Sequence, residues 1–267
     1  LRNGFIQVGI PEVLNTGQTI VIQGALVPVF GRAAPGGIQN FLTVRPRTKE
    51  VYRFGGATSN QARSRLTFET TGPLVPKRIW QRVALEWRRR DGPEEFARED
   101  VRMVSTVLTF RHSRTASTLV SLDYRDTTAL ATPGIPEYIP IGATKAVGPY
   151  LPLALFNANG PEAGVRRRSA VGSVQFDGQP MPRLSIRAGL EGWWRDVEQD
   201  RFTSSQLDLA TGLFTGIREP RRLEQPQHAL ASQLEATLRF SRFRAEHKLM
   251  LSASHTWGRY LREERAL

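Results

Sequence analysis

One repeated pattern constrains this chain more than any other: from about Val51 onward, an alternating run is followed by a short turn, a second alternating run and a long polar loop. Side chains two apart on a strand share a face, so each run reads as a strand with one apolar row and one polar row. In the first unit Leu66 and Phe68 precede a turn within residues 71–78, and Val83, Leu85 and Trp87 continue their row. Arg65, Thr67, Glu69, Arg82, Glu86 and Arg88 share the opposite row. The second unit sets Val104, Leu108 and Phe110 with Val120, Leu122 and Tyr124, across from Ser105, Thr109, Arg111, Ser121, Asp123 and Arg125. In the third, Val174 and Phe176 precede a turn at residues 178–182, and Ile186, Ala188, Leu190 and Trp194 follow. The fourth has Leu234, Leu238 and Phe240, then Leu249, Leu251, Ala253 and Trp257.

Each apolar row carries Phe before its short turn (Phe68, Phe110, Phe176, Phe240) and Trp or Tyr at the far end (Trp87, Tyr124, Trp194, Trp257). This predicts two aromatic belts. Roughly 8 to 10 strand residues separate them, which at about 3.3 Å each spans close to the ~25 Å apolar band of an outer-membrane barrel. A soluble β-sandwich also alternates, but it has no reason to hold aromatics at two fixed heights. The expected fold class is therefore all-β, a transmembrane antiparallel β-barrel, of which about nine strands are counted. The connections between units, residues 89–100, 127–168 and 196–227, are far longer than the turns within them. Outer-membrane barrels have short periplasmic turns and long external loops, which assigns the Phe belt to the periplasmic side. The long loops carry Tyr138, Tyr150, Phe156 and the run Arg166, Arg167, Arg168, basic and aromatic groups suited to an anionic, ring-bearing ligand.

A formal net charge of +12 first suggests nucleic acid as a partner. The basic residues are scattered singly apart from short groups at 88–90, 166–168 and 221–222, and no nucleic-acid-binding motif accompanies them, so no such partner is expected. Cysteine is absent, which removes disulfides and thiolate metal sites. No apolar run approaches the ~18 residues of a transmembrane helix, a test to which barrel strands are blind. Residues 1–15 lack a basic-then-apolar leader and do not begin with Met, so the chain is expected to start partway through a longer protein.

Catalytic signals are missing. His112, His228, His247 and His255 have no metal-ligand spacing. His247 and His255 share a strand face about 26 Å apart by strand rise, and belt positions account for these residues better. Glu191 with Asp196, or Glu94 with Glu95, are read as wall or loop solvation, and no nucleophile elbow, zinc helix or phosphate loop occurs. Neither an enzyme, a metal site nor a cofactor is expected.

Residues 1–49 have a different texture, with few charges before Arg32, β-rich runs at 19–22 and 38–44, and Gly31, Gly36 and Gly37 between them. Pro35 ahead of a glycine pair favours a tight reversal. The run Phe30-Gly31-Arg32-Ala33-Ala34-Pro35-Gly36-Gly37-Ile38-Gln39-Asn40, followed by Thr43-Val44-Arg45-Pro46, resembles the signature at the C-terminal end of the plug in TonB-dependent outer-membrane receptors. Gly72-Pro73-Leu74 resembles their turn after the second barrel strand, and Trp87-Arg88-Arg89-Arg90-Asp91-Gly92 the end of their third. The resemblance covers the whole chain, as the C-terminal part of a plug domain (1–49) and the N-terminal part of the barrel (50–267). It departs from the family at residues 17–25, which keep β character and Gly24 but lose the acids, the base and the proline usual there. The TonB-contacting box and the C-terminal strand with its terminal aromatic are not in this piece.

The resemblance implies energy-coupled import of a scarce ligand, most often a ferric siderophore, across the bacterial outer membrane. Its implied partners are the TonB complex, the ligand, and outer-membrane lipid and lipopolysaccharide. Two other readings stay open: a passive porin, and a soluble β-sandwich binding module. Gly31, Arg32, Pro35, Gly36, Gly37, Asn40, Arg45 and Pro46 are the signature positions. Arg32 and Arg45 are expected to pair with wall carboxylates such as Glu69 or Glu86 or with acids in strands beyond this piece, or to sit solvated in a crevice.

Overall fold

The strand Ile79–Asp91 shows how alternation becomes architecture. Its even positions Trp80, Arg82, Ala84 and Glu86 are buried, while Leu85 between them is 40% exposed. Other strands repeat the inversion: Asp123 is 2% exposed beside Leu122 at 55%, and Glu191 4% beside Leu190 at 47%. Charge is sealed on one face and hydrocarbon bared on the other, the reverse of a soluble sandwich. An apolar face this extensive is costly in water and matched in lipid.

The computed structural model describes residues 1–8, 13–23, 37–59, 63–130, 134–157, 159–161, 163–202, 206–215, 220–242 and 245–266. Two strands near the start, β1 (Thr16–Ile22) and β2 (Ile38–Thr43), form a small antiparallel sheet of their own. The long strands follow as β3 (Val51–Ser59), β4 (Arg63–Val75), β5 (Ile79–Asp91), β6 (Arg98–Arg111) and β7 (Ala116–Leu130). After the short β8 (Glu137–Ile139) and β9 (Gly148–Pro149) come the long β10 (Gly164–Met181) and β11 (Leu184–Phe202). Short strands β12 (Gln206–Asp208), β13 (Leu213–Thr215) and β14 (Pro220–Glu224) precede β15 (Gln227–Arg242), β16 (Ala245–Tyr260) and β17 (Glu263–Ala266).

The main sheet is an antiparallel meander in the order β16-β15-β11-β10-β7-β6-β5-β4-β3, with β14 and β17 continuing it beside β11. It does not close on itself, since β3 and β16 are its two ends. No helix among the described residues is long and apolar enough to cross a membrane, which says nothing about crossing by strands. One end of the sheet has short turns, between β4 and β5, β6 and β7, β10 and β11, and β15 and β16; the other carries the long connections. There two of the connections fold together: β8 pairs in parallel with β12 through Tyr138 with Leu207 and Ile139 with Asp208, and β9 and β13 complete a four-stranded sheet.

Two details differ from the sequence expectation. Strand β4 runs on through Gly72 and Pro73 to Val75, so Phe68 stands mid-strand opposite Leu85 rather than beside the short turn. Phe110 and Phe176 do share one cross-strand row, each opposite Thr118. The alternation of β6 had pointed to one apolar row, yet Val101, Met103 and Val107 on its other face are buried as well. A strand covered on both sides tolerates a near-continuous apolar run, and β6 has the N-terminal segment against it.

Candidate functional site

The N-terminal segment, residues 1–8 with the 3-10 turn Val13–Asn15 and the β1–β2 pair, lies against the charged face of the main sheet, called here the inner face. Its attachments are polar. The guanidinium of Arg2 donates from Nη2 to Asp123 Oδ2 at 2.6 Å and from Nε to Thr43 Oγ1 at 3.2 Å. Asn15 Nδ2 reaches the same carboxylate at 2.9 and 3.1 Å. Asn3 donates to Gln175 Oε1 at 2.7 Å and to Thr43 Oγ1 at 3.0 Å. The amides of Ile6 and Val8 donate to Gln233 Oε1 at 2.8 Å and Glu191 Oε1 at 2.9 Å. From the wall, Arg82 donates to the Leu14 carbonyl at 3.1 Å and Arg187 to the Asn3 carbonyl at 2.9 Å. Among the described residues, no backbone-to-backbone hydrogen bond joins the segment to the main sheet.

One aromatic anchor interrupts this polar layer. Phe5 is buried with its ring over Gly189, where a Cβ would collide with it, and the Arg187 guanidinium sits 4.5 Å from the ring centroid. Arg187 is itself held by Asp177 at 2.8 Å and Glu235 at 3.3 Å, so cation, ring and two carboxylates form one cluster.

Of the two arginines expected to pair or to sit solvated, one is described. Arg32, with Gly31, Pro35 and Gly36, lies outside the described residues. Arg45 is exposed and makes no ion pair among the described residues; it lines a cleft of about 450 Å³ at the short-turn end with Arg111, Asp177 and Arg187. Glu69 and Glu86 are already satisfied within the wall, Glu69 by Arg82 and Arg53, Glu86 by Arg65 and Arg88. The buried link between segment and wall is Arg2 with Asp123. Sequence reasoning missed it because the two lie 121 residues apart; the available signal was only the acid Asp123 on the same row as the small polar residues Ser105 and Ser121. Of the signature, Gly37 takes φ +117 where a side chain would meet the Ile22 carbonyl, and the Asn40 amide oxygen accepts from the Gly4 amide at 2.9 Å. Pro46 follows Arg45 on the way to β3.

The long-connection residues divide into three groups. Tyr138 and Tyr150 meet at 5.3 Å between ring centroids, and Phe156 stacks on Phe214 at 5.8 Å, an aromatic the sequence had not singled out. Arg166 and Arg168 stand on the outward face of β10, paired with Asp126 at 3.0 Å and with Asp196 and Glu198 at 2.7 and 2.6 Å. Arg167 alone of the three is on the inner face, lining a cleft with Arg63 and Arg90. Belt aromatics Tyr124, Trp194 and Trp257 are exposed on the outward face, with His228 5.3 Å from Trp257, His247 5.1 Å from Phe240, and His112 6.3 Å from Phe176. Trp87 donates its indole N–H to Asp100 at 3.1 Å.

No family model and no curated protein matches the sequence. Solved structures do. The ferric preacinetobactin receptor BauA of Acinetobacter baumannii superposes with a TM-score of 0.78 over 99% of this chain, at 12% identity. The fold is that of the TonB-dependent siderophore receptors. The siderophore receptor PiuA of the same organism gives 0.75 over 93% at 16% identity, and the ferripyoverdine receptor of the Pseudomonas aeruginosa outer membrane 0.76 over 94% at 10%. The chain spans 39%, 36% and 33% of these receptors, so it corresponds to a portion of each. These neighbours with the siderophore-receptor fold are transport receptors, not enzymes.

Proposed function

We propose that this chain is part of a TonB-dependent receptor that imports a ferric siderophore across the bacterial outer membrane. Residues 1–49 are then the C-terminal part of the plug and 50–267 the opening part of the barrel. The observation that carries the reading is the polar layer between the N-terminal segment and the inner face. Side-chain hydrogen bonds can be traded for bonds to water at small net cost, about 1 kcal/mol each. A buried apolar interface would instead expose hydrocarbon on separation. A stopper that must let go on demand is better held by the first kind of contact. The outer membrane has no nucleotide supply, so the work of release comes from a TonB complex acting on the plug.

The outward hydrocarbon face supports residence in the outer membrane, and the receptors with this fold supply the ligand class. A passive porin would need an open lumen, whereas here a segment of the chain is seated on the inner face. The deciding experiment is uptake of radiolabelled ferric siderophores by cells expressing the intact protein, with and without a functional TonB complex. Uptake that disappears without the complex is expected. Uptake that persists at the same rate would replace the receptor by a porin.

A further inference from the structure

The inner face toward the long connections carries an arrangement that a merely structural sheet avoids. Arg63 is directly opposite Arg90 across the β4–β5 ladder, and Arg65 is directly opposite Arg88 in the next inner row. Like charges facing each other on one side of an antiparallel pair destabilise it. Here they occur twice in succession. The second row continues through Thr127 to Arg167, and the row below it holds Arg125 and Arg195, each opposite Ser169.

Acids do not balance them. On these rows only Glu86 and Glu99 face inward: Glu86 holds Arg65 at 2.6 Å and Arg88 at 4.0 Å, and Glu99 holds Arg90 at 3.3 Å. Arg63, Arg167 and Arg195 form no ion pair among the described residues. Arg63, Arg90 and Arg167 converge on a cleft of about 430 Å³, whose rim adds Glu94 together with Asp91 and Arg98, the last two paired to Arg89 and Asp100. By contrast, Arg166, Arg168 and Arg222 on the outward face at the same end are each matched to acids. The directly facing arginine pairs lie on the side a ligand would traverse.

We infer that the ligand taken up along this inner face is a polyanion, held by the arginine rows that end at Arg63, Arg90 and Arg167. The inference rests on the reading of the inner face as an import path and narrows its ligand class by charge. Guanidinium groups bind clustered anionic oxygens through paired N–H donors, and a low-dielectric wall strengthens the attraction. A multiply charged metal chelate and an organic polyphosphate share that chemistry.

The test is equilibrium binding to the intact protein in detergent, with three probes of stated charge. They are the iron(III) complex of a hexadentate tris-catecholate, a trianion; the iron(III) complex of a hexadentate tris-hydroxamate, neutral; and inositol hexakisphosphate, a polyanion without iron. Binding of the trianion at least about tenfold tighter than the neutral complex, weakening as salt is raised, is expected. The combined R63Q, R90Q and R167Q variant should lose about tenfold or more of that affinity, and Lys at the same three positions should restore most of it. Heat-modifiable migration on a gel checks that each variant is folded. Equal affinity for neutral and trianionic complexes, trianion binding indifferent to the Gln variant, or no binding of either polyanion overturns the inference. If inositol hexakisphosphate alone binds and depends on the three arginines, the polyanion site stands and iron is the wrong cargo.

Discussion

Arg2 and Asp123 meet at 2.6 Å with side chains 5% and 2% exposed, a charge pair sealed between the N-terminal segment and the seventh strand. Removing one partner leaves the other buried and unpaired, at a cost of about 3–5 kcal/mol. Asp123→Ala should therefore release the segment, seen as faster amide exchange over residues 38–43. Replacing both, as Arg2→Met with Asp123→Leu, should recover much of the protection. Equal loosening in the single and double variants would show that the pair does not couple segment to wall.

Gly189 is a seat for the Phe5 ring, since any Cβ there collides with it. Gly189→Val should eject Phe5 and open the Arg187 cluster, making residues 1–8 sensitive to protease while the barrel keeps its heat-modifiable migration. Resistance equal to that of the unchanged protein would remove Phe5 from the list of anchors.

The turn into β2 depends on Gly37, whose φ of +117 and contact with the Ile22 carbonyl leave no room for a side chain. Gly37→Ala should cost about 1–3 kcal/mol of local stability. Exchange at Ile22 and Ile38 in the β1–β2 ladder reads this directly, and β10–β11 amides serve as an unaffected reference.

Leu122, 55% exposed on the outward face, tests the assignment of that face to lipid. Arginine at a lipid-facing position near the bilayer midplane costs about 2–4 kcal/mol. Leu122→Arg should lower folding yield into vesicles sharply. Arg168→Ala, which removes half-buried ion pairs to Asp196 and Glu198, should change stability by only about 1 kcal/mol. Similar effects from both would contradict a membrane-facing role for the apolar row.

How much of this could be read from the sequence depends on the range of the interaction. The parity of Val83, Leu85 and Trp87 against Arg82 and Glu86 is local, and side-chain alternation converts it directly into inside and outside. The extent of β4 was harder, because Gly72 and Pro73 look like a turn yet lie within the strand, Pro73 paired with Trp80. The same local rule could not foresee Val101, Met103 and Val107 as buried, since that depends on a segment nearly a hundred positions earlier covering β6. Partners were least legible: Glu69 and Glu86 looked available to plug arginines, but neighbouring strands had already supplied cross-strand bases. The division of Arg166, Arg167 and Arg168 between two faces was implicit in strand parity, but only once β10 was known to begin at Gly164.

The polar layer also has a mechanical consequence. Each described hydrogen bond between segment and sheet uses a wall side chain, at Arg82, Asp123, Gln175, Arg187, Glu191 or Gln233, and leaves the wall's own ladder untouched. A load on the segment is thus borne by separate fasteners spread over several strands. They can yield one after another, at the strength of the weakest still closed, and re-form in the same places while the wall keeps its shape.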